Sequence, residues 1–222
     1  MSHQTIIVLD FGSQYTQLIA RRLRELSVYS EIWSPTTPLE KIQARRPAGV
    51  ILSGGPKSVS DPGAPVCDPG VFELGVPVLG ICYGMQLMAH RLGGTVAPAS
   101  HREFGHATVR VASEGAPAVL FSDVPEEIRV WASHGDFVAA APPGFTVAAT
   151  SANAPVAAMA HPERSLYALL FHPEVVHTES GLEIIRNFAF RVCGCSGDWT
   201  MKSFVEESVA RIREQVGDGR VV

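Results

Sequence analysis

The chain has 222 residues, enough for one large domain or for one domain and a piece of another. Charged residues make up 18% against 46% apolar, a balance that calls for a large buried core and excludes intrinsic disorder. A net charge of −4 excludes a chain built to coat nucleic acid or an anionic membrane. The apolar runs are short and broken by Gly, Pro, His or charge, so no membrane span is expected. Residues 1 to 4 lead straight into a strand pattern without the basic and apolar regions of a secretory leader. Cysteines 67, 82, 193 and 195 are too few for a disulfide scaffold of this size, and the expected compartment is the cytoplasm.

Strand and helix signals alternate through the first half. Thr5 to Asp10 is a β-rich run that ends in the turn Phe11-Gly12-Ser13. Tyr15, Leu18, Ile19, Leu23 and Leu26 then recur at helical spacing. Arg21, Arg22, Arg24 and Glu25 fill the other faces, which read as solvated surface. Tyr29 to Trp33 is a second strand, Leu39 to Arg45 a short helix, and Gly49 to Leu52 a buried strand running into Ser53-Gly54-Gly55-Pro56. Val76 to Ile81 and Gly84 to Leu92 repeat the strand–helix pair. This alternation predicts a parallel sheet with helices on both faces. The second half holds short strands at Ala107 to Ala112, Ile128 to Ala132, Phe145 to Thr150, Val156 to Ala160 and Leu166 to Phe171. Such strands pair antiparallel, so the fold expected is α/β with a mixed, mainly parallel open sheet. Glu179 to Arg191 closes this part as a helix.

Gly80-Ile81-Cys82-Tyr83-Gly84 sits where a strand meets a helix, the setting of a nucleophile elbow with cysteine in the serine's place. The flanking glycines permit a sharp turn that pushes the Cys82 side chain into the open. A helix N-terminus beneath the sulfur favours thiolate, the attacking species. Buried packing is the commoner fate of a cysteine, and it is the reading adopted for Cys67, Cys193 and Cys195. The last two are spaced C-x-C with no histidine cluster, so no metal site is expected.

A thiol nucleophile needs an imidazole, and the imidazole an orienting acceptor. The tripeptide His-Pro-Glu occurs twice, at 161 to 163 and at 172 to 174. If the runs flanking Arg164-Ser165 form a hairpin, the two histidines lie at its opposite ends, ~20 Å apart along the strand. Chemistry in open α/β sheets gathers at the carboxyl ends of the strands, where Cys82 sits. His172 reaches that edge if its strand runs parallel to the Cys82 strand, and His161 then lies on the wrong one. Pro173 keeps His172 extended, so Glu174, two residues on, projects to the same side. Attack on an acyl carbon also needs donors for the developing oxyanion. Tyr83 N–H and a backbone N–H of the Gly54-Gly55 turn, best that of Gly55, are the candidates; Pro56 has none. Taken alone, that turn reads better as an ordinary glycine turn.

Cys82, His172 and Glu174, with Ser53-Gly54-Gly55-Pro56, resemble the class I (triad) glutamine amidotransferases. The stretches LDFGSQYTQLIARR, LSGGPKSV, GICYGMQLMAH, WASHGD and FHPEVVHTESG are similar, in order, to the amidotransferase domains of glutamine-hydrolysing GMP synthases. The resemblance implies a flavodoxin-like sheet and a reaction in which Cys82 attacks the side-chain amide of L-glutamine. His172 would protonate the leaving ammonia, and water would hydrolyse the thioester. It further implies that Gly54, Pro56, Gln86, Ser133 and His134 line the substrate pocket, His134 not being the base. The chain itself would need no cofactor. The ammonia would pass to a synthetase (ATP-pyrophosphatase) domain that uses ATP and Mg²⁺ to aminate XMP to GMP, and the full-length enzyme could form a homodimer.

Residues 1–195 complete the amidotransferase pattern, and no Ser-Gly-Gly-x-Asp-Ser loop for pyrophosphate follows. In residues 196–222, Val205, Val209, Ile212 and Val216 mark one face of a helix from about Thr200 to Val216. The resemblance makes this segment a linker and first helix of the synthetase domain, with Gly217 to Val222 leading toward its phosphate loop. Other readings are the glutaminase of another amidotransferase, such as that of anthranilate synthase, a cysteine peptidase, and a non-catalytic regulatory module. The DFGSQY and WASHGD stretches weigh against the first, and the complete triad against the last.

Overall fold

The computed structural model describes residues 3–112, 119–217 and 219. Nine strands form one sheet in the order β2-β1-β3-β4-β9-β8-β7-β5-β6. Strands β1 (Thr5–Leu9), β2 (Tyr29–Trp33), β3 (Gly49–Leu52), β4 (Val78–Ile81) and β9 (Leu166–Leu169) make the parallel part. The antiparallel part comprises β5 (Thr95–Val111), β6 (Glu127–Ala140), β7 (Thr146–Ser151) and β8 (Ala158–His161). The predicted mixed sheet is therefore two halves joined at the β9–β8 pair.

Alternation along the buried strands sorts side chains to two cores. On β1, Ile6 and Val8 face one cluster and Ile7 and Leu9 the other. The first cluster is covered by α1 (Thr16–Glu25), through Ile19 and Leu23, and by α4 (Gly181–Arg186), through Ile184 and Ile185. The second is covered by α2 (Leu39–Arg45) through Ile42 and by α3 (Tyr83–Arg91) through Met85, Leu87 and Met88. Helices lie on both faces, as the alternation of signals predicts. Each of these fully buried aliphatic side chains contributes roughly 1.5–3 kcal/mol relative to exposure.

Three elements depart from the sequence reading. β5 and β6 are far longer than Ala107–Ala112 and Ile128–Ala132, because the polar run Ser133-His134-Gly135-Asp136 stays in the ladder, Ser133 and His134 opposite Phe104 and Glu103 and, past a register shift, Asp136 opposite Pro98. Its polarity belongs to a cavity wall and not to a turn. The helix read over Glu179–Arg191 is α-helical only to Arg186 and widens into a π-turn over Asn187–Val192. Buried Asn187 sits at the change, donating to the carbonyls of Leu120 at 3.1 Å and Ser122 at 2.7 Å. The helix at the C-terminal end, α5 (Met201–Val216), is present, with Val205, Val209 and Ile212 each more than two-fifths exposed. Of Gly217 to Val222, residues 218 and 220–222 lie outside the described residues.

The register fixes the two His-Pro-Glu segments. β4 and β9 run parallel, with Val78 beside Leu166 and Ile81 beside Leu169, and Cys82 N–H donates to Leu169 O at 2.7 Å. His172 follows at the carboxyl edge with Cys82. His161 pairs with Leu166 at the other end of the strand, where its ring meets Phe145 edge-on. Among the described residues, no helix is long and apolar enough to cross a membrane.

Candidate active site

The junction of β4 and α3 is a tight elbow. Cys82 has φ 50° and ψ −105°, a strained conformation for a residue with a side chain. The glycines on either side leave no choice. A Cβ on Gly84 would fall 2.4 Å from Leu52 O, and one on Gly80 2.7 Å from the Gly84 carbonyl carbon. Both obstacles are backbone. Gly84 N–H donates to Ser53 O at 3.1 Å, tying the head of α3 to the end of β3.

The Cys82 sulfur, in a residue that is almost wholly buried, donates to Ser133 O at 3.4 Å and lines the same cavity as the His172 ring. On the other side of that ring Nδ1 is 2.8 Å from Glu174 Oε1. A carboxylate only accepts, so Nδ1 carries the proton. Burial lowers the His172 pKa. The hydrogen bonds to Cys82 and Glu174 and the charges of both outweigh it and push the value up to about 10. Cys82, His172 and Glu174 thus form one continuous chain of contacts. Burial, the largest cause in each, pushes the Cys67 and Cys195 thiols up to about 11 and the Cys193 thiol well above its ordinary value, with neighbouring Asp68, Asp198 and Cys195 adding to it.

Two adjoining cavities open on this chain and share Gly55, Pro56, Cys82 and Ser133. The smaller, about 240 Å³, is closed by the Gly12–Tyr15 turn and His172. The larger, about 660 Å³, is walled by Lys57, Ser58, Asp61, Gln86, His134 and Asp136. Gln86 Nε2 donates to Asp136 O at 2.9 Å, which fixes its amide against β6. Gly54 lies under the imidazole, where a Cβ would stand 3.1 Å from His172 Cε1. Gly55 packs on Phe11, and a Cβ there would fall 2.7 Å from Phe11 O. The residues singled out in the sequence therefore converge on one place.

The sequence reading leaves several contributors out. The Tyr15 ring meets the His172 ring edge-on at 5.0 Å. Asp136 and Lys57 put opposite charges on the wall of the larger cavity, and both lie in stretches already quoted for the resemblance. The arginine face of α1 is not uniformly solvated, contrary to the sequence reading. Arg21 is exposed, and so is Arg24, which lies over Tyr29 and Trp199, but Arg22 is half-buried and its Nε donates to Glu174 O at 3.0 Å. No local pattern marks a contact spanning 152 residues of sequence.

The family model described as "Glutamine amidotransferase class-I" matches residues 7–192. The chain is 54% identical over its whole length to "GMP synthase [glutamine-hydrolyzing]" of Geobacillus kaustophilus, covering 43% of that protein. It is equally similar to the protein of the same name from Ruminiclostridium cellulolyticum, again over 43% of its length. The chain thus spans less than half the length of the curated relatives it matches. Among solved structures, a Thermoplasma acidophilum protein described as a GMP synthase subunit superposes with a TM-score of 0.75 at 33% identity, covering 94% of this chain and 99% of that one. A glutamine amidotransferase from Thermotoga maritima, 20% identical, shares the fold with a TM-score of 0.60 over 98% of this chain and 87% of that one. With the match extending from the first strand through the π-turn and enclosing Cys82, His172 and Glu174, this chain belongs to the class-I glutamine amidotransferase family.

Proposed function

We propose that the chain is the glutaminase part of a GMP synthase, releasing ammonia from L-glutamine for a synthetase domain that aminates XMP to GMP. The observation that carries the reading is the buried chain Cys82–His172–Glu174 at the foot of a cavity with polar, oppositely charged walls. With His172 holding its proton at neutral pH, the thiolate of Cys82 attacks the carboxamide carbon of glutamine. The negative charge that develops on the amide oxygen is met by the backbone N–H groups of Tyr83, at the head of α3, and Gly55. Collapse of that intermediate breaks the C–N bond, and His172 Nε2–H protonates the departing nitrogen to give ammonia. The now neutral imidazole takes a proton from water, whose oxygen attacks the glutamyl thioester. The thiolate leaves, the new carboxyl group loses its proton to solvent as glutamate departs, and the thiolate and protonated imidazole are restored. Gln86, Ser133 and His134 line the side-chain channel with Gly55 and Pro56, and Gly54 supports the His172 ring behind it.

The synthetase half supplies the ATP and Mg²⁺ chemistry. Residues 1–195 act as the glutaminase, and α5 leads into the synthetase, whose surface covers the exposed stripe of Val205, Val209 and Ile212. Four free thiols suit a reducing cytoplasm. The test is glutamate formation from glutamine by the wild-type chain and by Cys82→Ala, each with and without a separately supplied synthetase half. Loss of activity in Cys82→Ala supports the reading, and unchanged ammonia release overturns it. Stimulation by the synthetase half of a GMP synthase, and by no other amidotransferase acceptor, identifies the destination of the ammonia.

A further inference from the structure

The main chain of His172 is held to one residue on both sides. Its N–H donates directly to Trp131 O at 3.0 Å. Its C=O does not reach Trp131 N–H. Instead the Thr178 hydroxyl stands between them, donating to His172 O at 2.6 Å and accepting from Trp131 N–H at 2.9 Å. Thr178 and His172 are buried and Trp131 is partly buried, so the hydroxyl–carbonyl bond is shielded from water that would replace it.

The arrangement follows from the sequence. Ala132 and Phe171 form an isolated antiparallel bridge, which would carry on at His172 and Trp131 as a pair exchanging both hydrogen bonds. After Pro173 the chain turns away from β6, so the paired geometry does not continue past His172. The segment returns at Thr178 and Glu179, whose N–H donates to Arg129 O at 2.9 Å. The hydroxyl then fills the gap left where the strands part. The anchor is firm, since the Trp131 ring stacks on His177 at 4.9 Å and meets His106 edge-on at 5.4 Å.

We propose that Thr178 is a positioning residue for the glutaminase reaction, its hydroxyl setting the separation between His172 and the β6 wall. That wall carries Ser133, whose carbonyl faces the Cys82 sulfur, so one spacing governs both the imidazole and the sulfur. A direct backbone pair would draw His172 toward β6. Loss of the bridge would release it from β6 on its carbonyl side and leave two buried polar groups unpaired.

The inference rests on His172 acting as the proton carrier, and the experiment separates the two. Thr178→Val keeps the shape and removes the hydroxyl, and Thr178→Ser restores it. Thr178→Val is expected to lose kcat on the order of 10²-fold, the scale of a reacting group misplaced by about 1 Å, with KM for glutamine changed little. Its His172 titration, followed by NMR, is expected to move down from about 10 toward 6.5 as the contacts to Cys82 and Glu174 loosen. Thr178→Ser is expected to recover most of kcat and of the titration. If Thr178→Val lowers only Tm, with kcat and titration as in wild type at a temperature where it is folded, the inference is overturned. Should Thr178→Val not fold, Thr178→Ser together with Thr178→Ala decides: equal kcat in both overturns it, and Ser well above Ala supports it. Retained activity in Cys82→Ala, measured alongside, would instead sink the underlying reaction.

Discussion

His172 Nδ1 and Glu174 Oε1 are 2.8 Å apart with side chains 4% and 0% exposed, so the imidazole is oriented by a carboxylate that solvent does not reach. The second oxygen of that carboxylate, Oε2, is buried and has no hydrogen-bond partner among the described residues. The carboxylate's hold on the ring therefore runs through Oε1 alone, and among the described residues no other donor competes for the charge of Glu174.

Glu174→Gln separates orientation from charge. The amide oxygen can take the Oε1 position and still accept from Nδ1, while the NH₂ occupies the place of Oε2, where nothing is displaced. The charge that helps to hold the proton on His172 is lost. The expected outcome is a kcat lowered on the order of 10²-fold, the scale of general acid–base contributions, with glutamine affinity retained. Steady-state kinetics together with isothermal titration of glutamine on the Cys82→Ala background check it. Weakened binding with normal turnover would contradict the assignment.

Arg22 holds the same residue by its main chain. Its Nε donates to Glu174 O at 3.0 Å while Nη1 pairs with Glu25 at 2.8 Å, and the side chain is 21% exposed. Arg22→Met preserves the stem and removes the donor. A kcat lower by about tenfold, equivalent to ~1.4 kcal/mol in the barrier, is expected. Arg21→Met, one residue away on the solvated face, serves as the control and is expected to leave kcat unchanged.

The contrast between these two arginines shows what the sequence makes legible. Local signals place the elbow at Cys82, because glycine spacing and a strand–helix change are written in five consecutive residues. They also place Glu174 beside His172, since Pro173 keeps the chain extended between them. The assignment of His172 over His161 needs one tertiary fact, the parallel pairing of β4 and β9, which the order of elements implies without stating. Arg22 and Thr178 carry no such mark. One is an arginine among arginines and the other a threonine in a turn, and each gains its role from a segment that folding alone brings near. The long β5–β6 ladder is obscured for a related reason. Ser133 to Asp136 are polar because they face a cavity, and polarity inside a strand imitates a turn.

The elbow predicts a steric intolerance with a definite cause. Gly84→Ala would drive a Cβ to 2.4 Å from Leu52 O, a backbone atom fixed in the middle of the sheet. A loss of about 3 kcal/mol is expected, at the upper end for overpacking, and is read from the midpoint of urea unfolding. Gly75→Ala makes a useful comparison, because nothing lies within 4 Å of its Cβ. Its φ of 73° makes any cost there conformational. Full stability in Gly84→Ala would contradict the packing described for the nucleophile turn.

His161 tests the choice between the two His-Pro-Glu segments. It pairs with Leu166, three residues before the Leu169 carbonyl that accepts from Cys82 N–H, and its ring contact is with Phe145. His161→Ala is expected to keep kcat and KM and to cost no more than ~1 kcal/mol in stability from the lost aromatic contact. His172→Ala is expected to abolish turnover. A large loss of kcat in His161→Ala, at full stability, would reverse the assignment.

The raised His172 value makes a prediction about pH with a fixed sign. Burial opposes the proton, but Cys82 and Glu174 together hold it, and the pKa in the folded chain is about 10 against an ordinary 6.5. A group that binds its proton more tightly when folded stabilises the fold fully below its unfolded value, and this contribution fades as pH rises through its folded one. The window lies between about pH 6.5 and about pH 10, with stability falling as pH increases. Turnover follows the same proton, because the imidazolium protonates the departing ammonia, and kcat is expected to fall on the alkaline side as pH approaches 10. Cys82→Ala removes one of the two raising partners, so the His172 resonance should titrate at lower pH in that variant than in the wild-type chain. NMR of the imidazole across roughly pH 5 to 11 reads both proteins directly. A wild-type His172 titrating near 6.5 would mean that burial cancels its partners, and the protonated imidazole at neutral pH would then have to be abandoned.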